Sequence, residues 1–303
     1  MNEQRHPEGA VSGFLLVDKP SGVTSFDVVA AVRRRVGVKQ VGHGGTLDPL
    51  ASGLLPILVG EATKLTPYLM GLDKKYDATV RLGIATDTYD AEGRAGVEAD
   101  WSQITVEDVT AALPPFLGRV KQRPPAYSAI RKNGRRLYEL ARAGAEDMEI
   151  EEREVVIHAL EVVRFTPPLV GLHVHCGKGT YVRSIAHDLG VRLGVGAHLA
   201  ALRRTRIGHF DLADSVDVMG STGKLALLPL EDAVAHLPSL AVDVEVERRL
   251  RMGQQAALEA LDVPLDLVGA LRLSDDKGRL VAMAEVARGG ARLQLARVFS
   301  RYE

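Results

Sequence analysis

A single cysteine in 303 residues, Cys176, excludes an internal disulfide and suits a reducing compartment. No apolar run approaches the roughly 20 residues needed to cross a bilayer. The longest are stretches such as GLLPILVG, and the opening MNEQRHPEGA is too polar for a signal peptide. A cytoplasmic protein is the expectation. No Walker-type phosphate loop or dinucleotide fingerprint occurs, LGVRLGVG being too loose a match. Low-complexity tracts are also missing, and the 46% hydrophobic and 25% charged shares are those of an ordinary folded chain. A net charge of −1 withholds the overall positive charge on which non-specific nucleic-acid affinity rests.

The distribution of charge says more than its sum. In GRVKQRPPAYSAIRKNGRRLYELAR, Arg119, Lys121, Arg123, Arg131, Lys132, Arg135, Arg136 and Arg142 stand against Glu139 alone. Arg203, Arg204 and Arg206 form a second cluster, while acids gather in AEDMEIEEREV. One face of a neutral molecule can therefore be positive. A merely solvated charged surface fits the same pattern.

The chain length exceeds the usual single domain, so a large domain with a smaller one is expected. GFLLVDK reads as a strand, Lys19-Pro20-Ser21-Gly22 as a turn, and Thr24 or Ser25 as the N-cap of a helix with Phe26, Val29, Val32 and Val36 at helical spacing. In KKYDATVRLGIAT, Tyr76, Ala78, Val80 and Leu82 share one face of a strand long enough to be central. TVEDVTAALPPFLG carries a Thr105 to Asp108 capping box and ends before Pro114. RRLYELARAG predicts a helix stopped by Gly144. VVIHALEVVRF and LVGLHVHCG read as strands, and TYVRSIAHDLGVRLG as a helix burying Val182, Ile185, Ala186 and Leu189. The mixture lacks regular βα alternation, which favours an α+β fold. Past HLPSLAVDVE come a short helix and brief strands joined by Asp-Asp-Lys-Gly and Gly-Gly turns, placing a boundary near residue 240, with segments 1–240 and 241–303.

Two constellations carry chemistry. In VGHGGTLDPLASGLLPILVGEATK, glycines at 42, 44 and 45 and the proline at 49 surround Asp48. Either that turn aims the carboxylate, or Asp48 caps a short helix PLASGLLP with Pro49 at its first position. In GKGTYVRSIAHDLG, Arg183 falls in the first helical turn, where it could pair with a carboxylate and keep it ionised. HVHC places His173 and His175 on one strand face and Cys176 on the other. The sequence offers no further ligands at zinc spacing, so no metal is expected.

GHGGTLDPLASGLLPILVGEATK closely resembles the catalytic motif of the TruB-type tRNA pseudouridine synthases. KKYDATVRLGIATDTYDAEG, QRPPAYSAIRKNGRRLYELARAG, and GKGTYVRSIAHDLG running on into AHLAALRRTRIGHF match the same family in the same order. Gly44 and Ser52 depart from it, standing where the family usually has threonine. The resemblance implies a pseudouridine-synthase-type, largely antiparallel mixed sheet flanked by helices in the first segment, and a small β-rich, PUA-like RNA-binding module in the second. It implies isomerisation of a T-loop uridine of tRNA, conventionally position 55, without cofactor, metal, guide RNA or protein partner; monomeric action is the simplest expectation.

Carried over residue by residue, Asp48 is the catalytic acid, Arg183 its partner, and Tyr76 the ring that stacks on the base and assists proton removal at C5. His43 fills space beside the flipped nucleotide, Tyr181 and Leu202 line the pocket, and Asp90 orders it. The basic residues Arg131, Lys132, Arg135, Arg203 and Arg204 are expected on the RNA backbone.

Overall fold

The computed structural model describes residues 11–128, 130–132, 135–137, 150–262, 267–286 and 293–300. The helix expected over RRLYELARAG, its Gly144 stop and the Gly-Gly turn lie wholly or mainly outside them. In chain order the strands are β1 Gly13–Lys19, β2 Val41–His43, β3 Ser52–Val59, β4 Lys74–Leu82, β5 Gly118–Gln122, β6 Arg131–Lys132, β7 Arg135–Arg136, β8 Arg153–Thr166, β9 Leu169–Cys176, β10 Ala197–Ile207, β11 Phe210–Asp211, β12 Ser239–Ala241, β13 Gly269–Ser274, β14 Leu280–Val286 and β15 Leu293–Val298. The helices used below are α1 Ser25–Val36, α2 Thr66–Met70, α3 Val106–Ala112, α4 Val182–Arg192, α5 Leu230–Ala233 and α6 Val244–Arg251.

Nine strands make one sheet in the order β1-β3-β10-β4-β9-β8-β5, with β2 on β3 and β11 on β10. Every pairing is antiparallel except β3 with β10. The fold is α+β, and β4 is central as its length and alternation indicate. Both faces of β1 and β3 are buried: Leu15, Val17, Leu55 and Ile57 point to the core beneath α1 and α4, while Phe14, Leu16, Leu54 and Leu58 point to a second core. Leu280, Met283 and Phe299 belong to that second core, so the four-stranded sheet β12-β13-β14-β15 docks there.

Helix signals translate directly into caps. The Thr24 hydroxyl accepts from the Asp27 amide and the Asp27 carboxylate accepts from Thr24, while Gly37 closes α1 in the left-handed region. Thr105 and Asp108 repeat the box at α3. Of the face expected for α1, Val29 and Val32 enter the core with Val28, and Val36 packs against it, whereas Phe26 is 65% exposed and lies under the Arg33 guanidinium. In α4, Val182, Ile185, Ala186 and Leu189 are all buried, and Arg183 is buried among them.

Candidate active site

The segment after β2 is neither helix nor ordinary loop. Pro49 and Leu50 form a bend and the chain enters β3 at Ser52, so Asp48 caps no helix. Polar contacts fix almost every backbone group around it. The Ser25 hydroxyl donates to Leu47 O and accepts from Leu47 N, both at 2.9 Å. Gly22 N donates to Pro49 O at 2.8 Å, the Ser21 hydroxyl to Leu50 O at 2.8 Å, and Ala51 N to Asp48 O at 3.1 Å. The turn after β1 and the start of α1, 22 to 29 residues earlier in the chain, thus hold this segment. Satisfied donors and acceptors leave it little freedom to drift.

Two buried cations complete the frame. Lys19, fully buried, donates to Val23 O at 2.6 Å, Pro20 O at 3.0 Å and Pro49 O at 3.4 Å. Burial pulls its pKa down to about 8, partly opposed by the Asp48 charge. Arg204, 1% exposed, donates to Leu54 O at 2.7 Å, Gly45 O at 2.9 Å and Thr46 O at 3.4 Å. Its place on the RNA backbone is therefore corrected: alternation along β10 turns Leu202 and Arg204 inward together, leaving Arg203 at the surface side. Gly53 is required where β10 crosses, since its φ is +100° and a Cβ there would strike the Arg204 backbone.

The carboxylate at the centre meets α4. Arg183 Nε lies 2.9 Å from Asp48 Oδ2, and its Nη1 lies 3.3 Å from Asp90 Oδ2. The remaining guanidinium protons go to Thr88 O at 3.2 Å and Tyr127 O at 3.0 Å. The Nε–H does not point straight at an acceptor, so Asp48 and Arg183 form a close ion pair more than an aligned hydrogen bond. Asp90 is itself fixed, accepting from the Thr88 hydroxyl at 2.5 Å and Glu92 N at 3.1 Å. Tyr89, on the turn between them, has φ +65° and stacks on His187 of α4 with centroids 3.8 Å apart. Such a conformation in a tyrosine is strained and persists only where its surroundings enforce it.

Asp48 keeps 40% of its side chain open while protein crowds the rest. That crowding pushes its pKa above the ordinary aspartate value; Arg183 pulls it down, and Asp90 adds a further upward push. Tyr76 and Tyr181 both lie within electrostatic reach of Asp48, and burial raises both phenols. The Arg204 charge opposes that rise at Tyr76. Tyr181 is set at the start of α4 by Gln122, which accepts from Tyr181 N at 2.8 Å and donates to its carbonyl at 3.1 Å. His43 Nδ1 accepts from Gly45 N at 3.4 Å, leaving Nε2 to carry the proton, and burial lowers its pKa. Leu202 is buried beside Ala78, and its carbonyl accepts from the Ser52 hydroxyl at 3.5 Å. Gly44 packs against Leu69, whose side chain would lie 3.0 Å from an added Cβ. Arg203 pairs with Asp18 at 2.7 Å; Arg131, Lys132 and Arg135 lie on the β6-β7 hairpin.

Residues 33–182 match the family model described as TruB family pseudouridylate synthase, N-terminal domain, and residues 183–220 match the tRNA pseudouridylate synthase B C-terminal domain. The tRNA pseudouridine synthase B of Dehalococcoides mccartyi is 44% identical over 261 residues, which are 84% of this chain and 87% of that one. That of Symbiobacterium thermophilum is 47% identical over 259 residues, 84% and 86% of the two chains, and that of Pasteurella multocida 40% over 286 residues, 91% and 92%.

The chain belongs to the TruB family of pseudouridylate synthases.

It is accordingly an isomerase. A solved Cbf5-Nop10-Gar1 complex shares the fold, with a TM-score of 0.69 at 24% identity over 95% of this chain and 84% of that one. In this TruB-family chain, Lys19, Ser25 and Gln122 are site-building residues that the sequence reading passed over. Lys19 and Ser25 stood in a turn and a cap signal, and nothing local shows that their side chains reach residues 47 to 49. Gln122 stood inside a matched motif among arginines, where an uncharged donor and acceptor attracts no notice.

Proposed function

We propose that this TruB-family enzyme converts the T-loop uridine at conventional position 55 of tRNA to pseudouridine, acting alone. The observation that carries the reading is the buried Arg183 holding the partly open Asp48 at 2.9 Å, with Tyr76 and Tyr181 within its electrostatic reach. The curated relatives named as tRNA pseudouridine synthase B supply the substrate class.

The reaction breaks the bond from ribose C1′ to N1, turns the uracil, and joins C1′ to C5; C5 loses a proton and N1 gains one, so atoms balance without cofactor or metal. The target base must leave its stack, at a cost of a few kcal/mol. His43, neutral because burial lowers its pKa, fills the vacated space, and Tyr76 stacks on the base. Burial keeps the Tyr76 hydroxyl protonated, which favours stacking over service as the C5 base. Asp48 supplies the anionic oxygen at the ribose, Arg183 holds it, and Asp90 holds Arg183 from the other side. Tyr181 and Leu202 close the pocket wall. The β6-β7 hairpin with Arg131, Lys132 and Arg135, together with Arg203, grips the RNA backbone, and Arg204 keeps the catalytic loop in place.

The test is incubation of the purified protein alone with an unmodified tRNA transcript, followed by pseudouridine mapping. One pseudouridine at position 55 is expected. Release of free uracil would indicate a hydrolase, binding without product an RNA-binding protein, and product only with an added RNA a guided enzyme; each overturns the proposal.

A further inference from the structure

The sheet face opposite the active site carries a histidine cluster that the reaction does not use. Along β4, Tyr76, Ala78 and Val80 turn toward α4 while Lys75 and Asp77 turn to solvent, and their partners His175 and His173 on β9 turn the same way. Strand β8 adds a third imidazole through an irregularity: the register runs from Ile157↔Cys176 to Ala159↔His175, so two residues of β8 face one of β9. That bulge leaves His158 on the outer face beside His175, ring centroids 4.7 Å apart. Bulges of this kind re-aim side chains and recur next to functional sites.

Asp73, just before β4, completes the group. Its carbonyl accepts from Gly208 N at 2.8 Å, and its Oδ2 lies 3.0 Å from His158 Nε2. One ligand atom each from Asp73, His158 and His175 fall within 4.8 Å of one another. Tetrahedral zinc with ligands at about 2.0 to 2.1 Å needs separations of about 3.4 Å, so the Asp73–His158 contact at 3.0 Å must open slightly, while any wider separation, none above 4.8 Å, must close to match. His158 is 37% and Asp73 49% exposed, which gives them room to turn, while their backbones stay fixed in or beside paired strands. Two imidazoles and a carboxylate are a donor set suited to a first-row divalent ion. The sequence HVHC offers no such set by itself; the fold supplies the ligands from 17 and 102 residues before His175.

We propose that Asp73, His158 and His175 form a site for a divalent transition ion, Zn²⁺ fitting the donors best, clamping the start of β4 to the bulge of β8. The ion would work against Lys75 and Arg206, whose charges face His175, and would compete with protons for the imidazoles; the neighbouring Asp77–His173 pair, 2.7 Å apart, lies along the same open depression of about 320 Å³.

The full-length protein, stripped of metal, is titrated with Co²⁺ while its visible d–d absorption is followed, then back-titrated with Zn²⁺; thermal melting is recorded with and without Zn²⁺. Saturable binding of one ion is expected, with a four-coordinate spectrum and a melting temperature that rises with Zn²⁺. His158→Ala and His175→Ala should each weaken binding on the order of 10-fold or more, by loss of one ligand of three. The double variant should lose the melting shift, and His173→Ala should leave both intact. Absence of saturable binding, binding unchanged in the folded double variant, or equal loss in His173→Ala would overturn the proposal.

Discussion

Arg183 Nε stands 2.9 Å from Asp48 Oδ2 while the same guanidinium reaches Asp90 at 3.3 Å, so one buried cation serves two acids. Asp48 is the more open of the two and Asp90 is buried, which leaves the Asp48 oxygen as the one a substrate can meet. Removing Arg183 frees that oxygen from its anchor and leaves Asp90 uncompensated. Arg183→Met is expected to lower kcat on the order of 100-fold, the penalty for an ångström-scale misplacement of a reacting group. Single-turnover pseudouridine formation measures it, with tRNA binding as the control.

The acid limb of the pH profile follows from the direction of the Asp48 shift. Its pKa is raised by crowding, so it loses charge at a higher pH than an ordinary aspartate, whose value is about 3.9. The acid limb of kcat should therefore fall above that value, and Arg183→Lys, which keeps a charge but loosens the contact, should move it further up. For stability the sign is the reverse of a usual salt-bridged carboxylate. A raised folded pKa favours the protonated form, so the contribution is present at low pH and lost as pH rises through the folded value. Asp48→Asn should then melt no lower than the parent at neutral pH.

An alkaline change should appear near pH 8. Lys19 titrates at about 8 in the fold, below the unfolded value of roughly 10.4. Between those values the unfolded chain binds more protons, so stability rises with pH while the Lys19 charge that grips Val23 O and Pro49 O disappears. A kcat that declines through pH 8 without loss of melting temperature is the expected result. Lys74 titrates in the same range but donates to Met70 O and Leu72 O, away from the catalytic turn, and Lys74→Gln should leave the decline in place.

Arg203 and Arg204 should separate cleanly. Arg204→Met removes the side-chain donors to the carbonyls of Gly45 and Leu54 and is expected to cost about 2–6 kcal/mol, at about 1–3 kcal/mol for each buried group left unpaired. Arg203→Ala should leave melting nearly unchanged and reduce the salt slope of tRNA affinity by about 1. Denaturant melts and binding at several salt concentrations check both.

At Gly44 an added Cβ would meet Leu69 at 3.0 Å and Pro56 at 3.3 Å. Gly44→Thr is expected to destabilise by about 1–3 kcal/mol through overpacking. The cost should shrink in the double variant with Leu69→Val, as coupled neighbours require.

Much of this was readable in the sequence where one signal acts locally. The capping boxes at Thr24 and Thr105, the alternation of β4 and the buried stripe of α4 each follow from residues within one element. The misreadings arose where a distant element decides. Phe26 has helical spacing with Val29, and Val29 and Val32 are buried as that spacing indicates, yet Val28 takes the inner place in the first turn and the Phe26 ring lies beside Arg33. The stretch after Asp48 has a helix-like start, but β1 and β10 flank it and draw it into the sheet as β3. Arg204 looked like surface charge because charge usually is. Its two-residue spacing from Leu202 was the available sign that it points inward. Family motifs pointed to Asp48 and Arg183, whereas the hold of Lys19, Ser25 and Gln122 on the site needs three-dimensional proximity.

The central claim, that the framed Asp48 carries the chemistry and does not merely bind RNA, is tested most directly by Asp48→Asn assayed on a tRNA transcript for both affinity and product. Retained tRNA affinity, unchanged melting and no pseudouridine at position 55 is the predicted result. Pseudouridine formed at the parent rate would contradict the account.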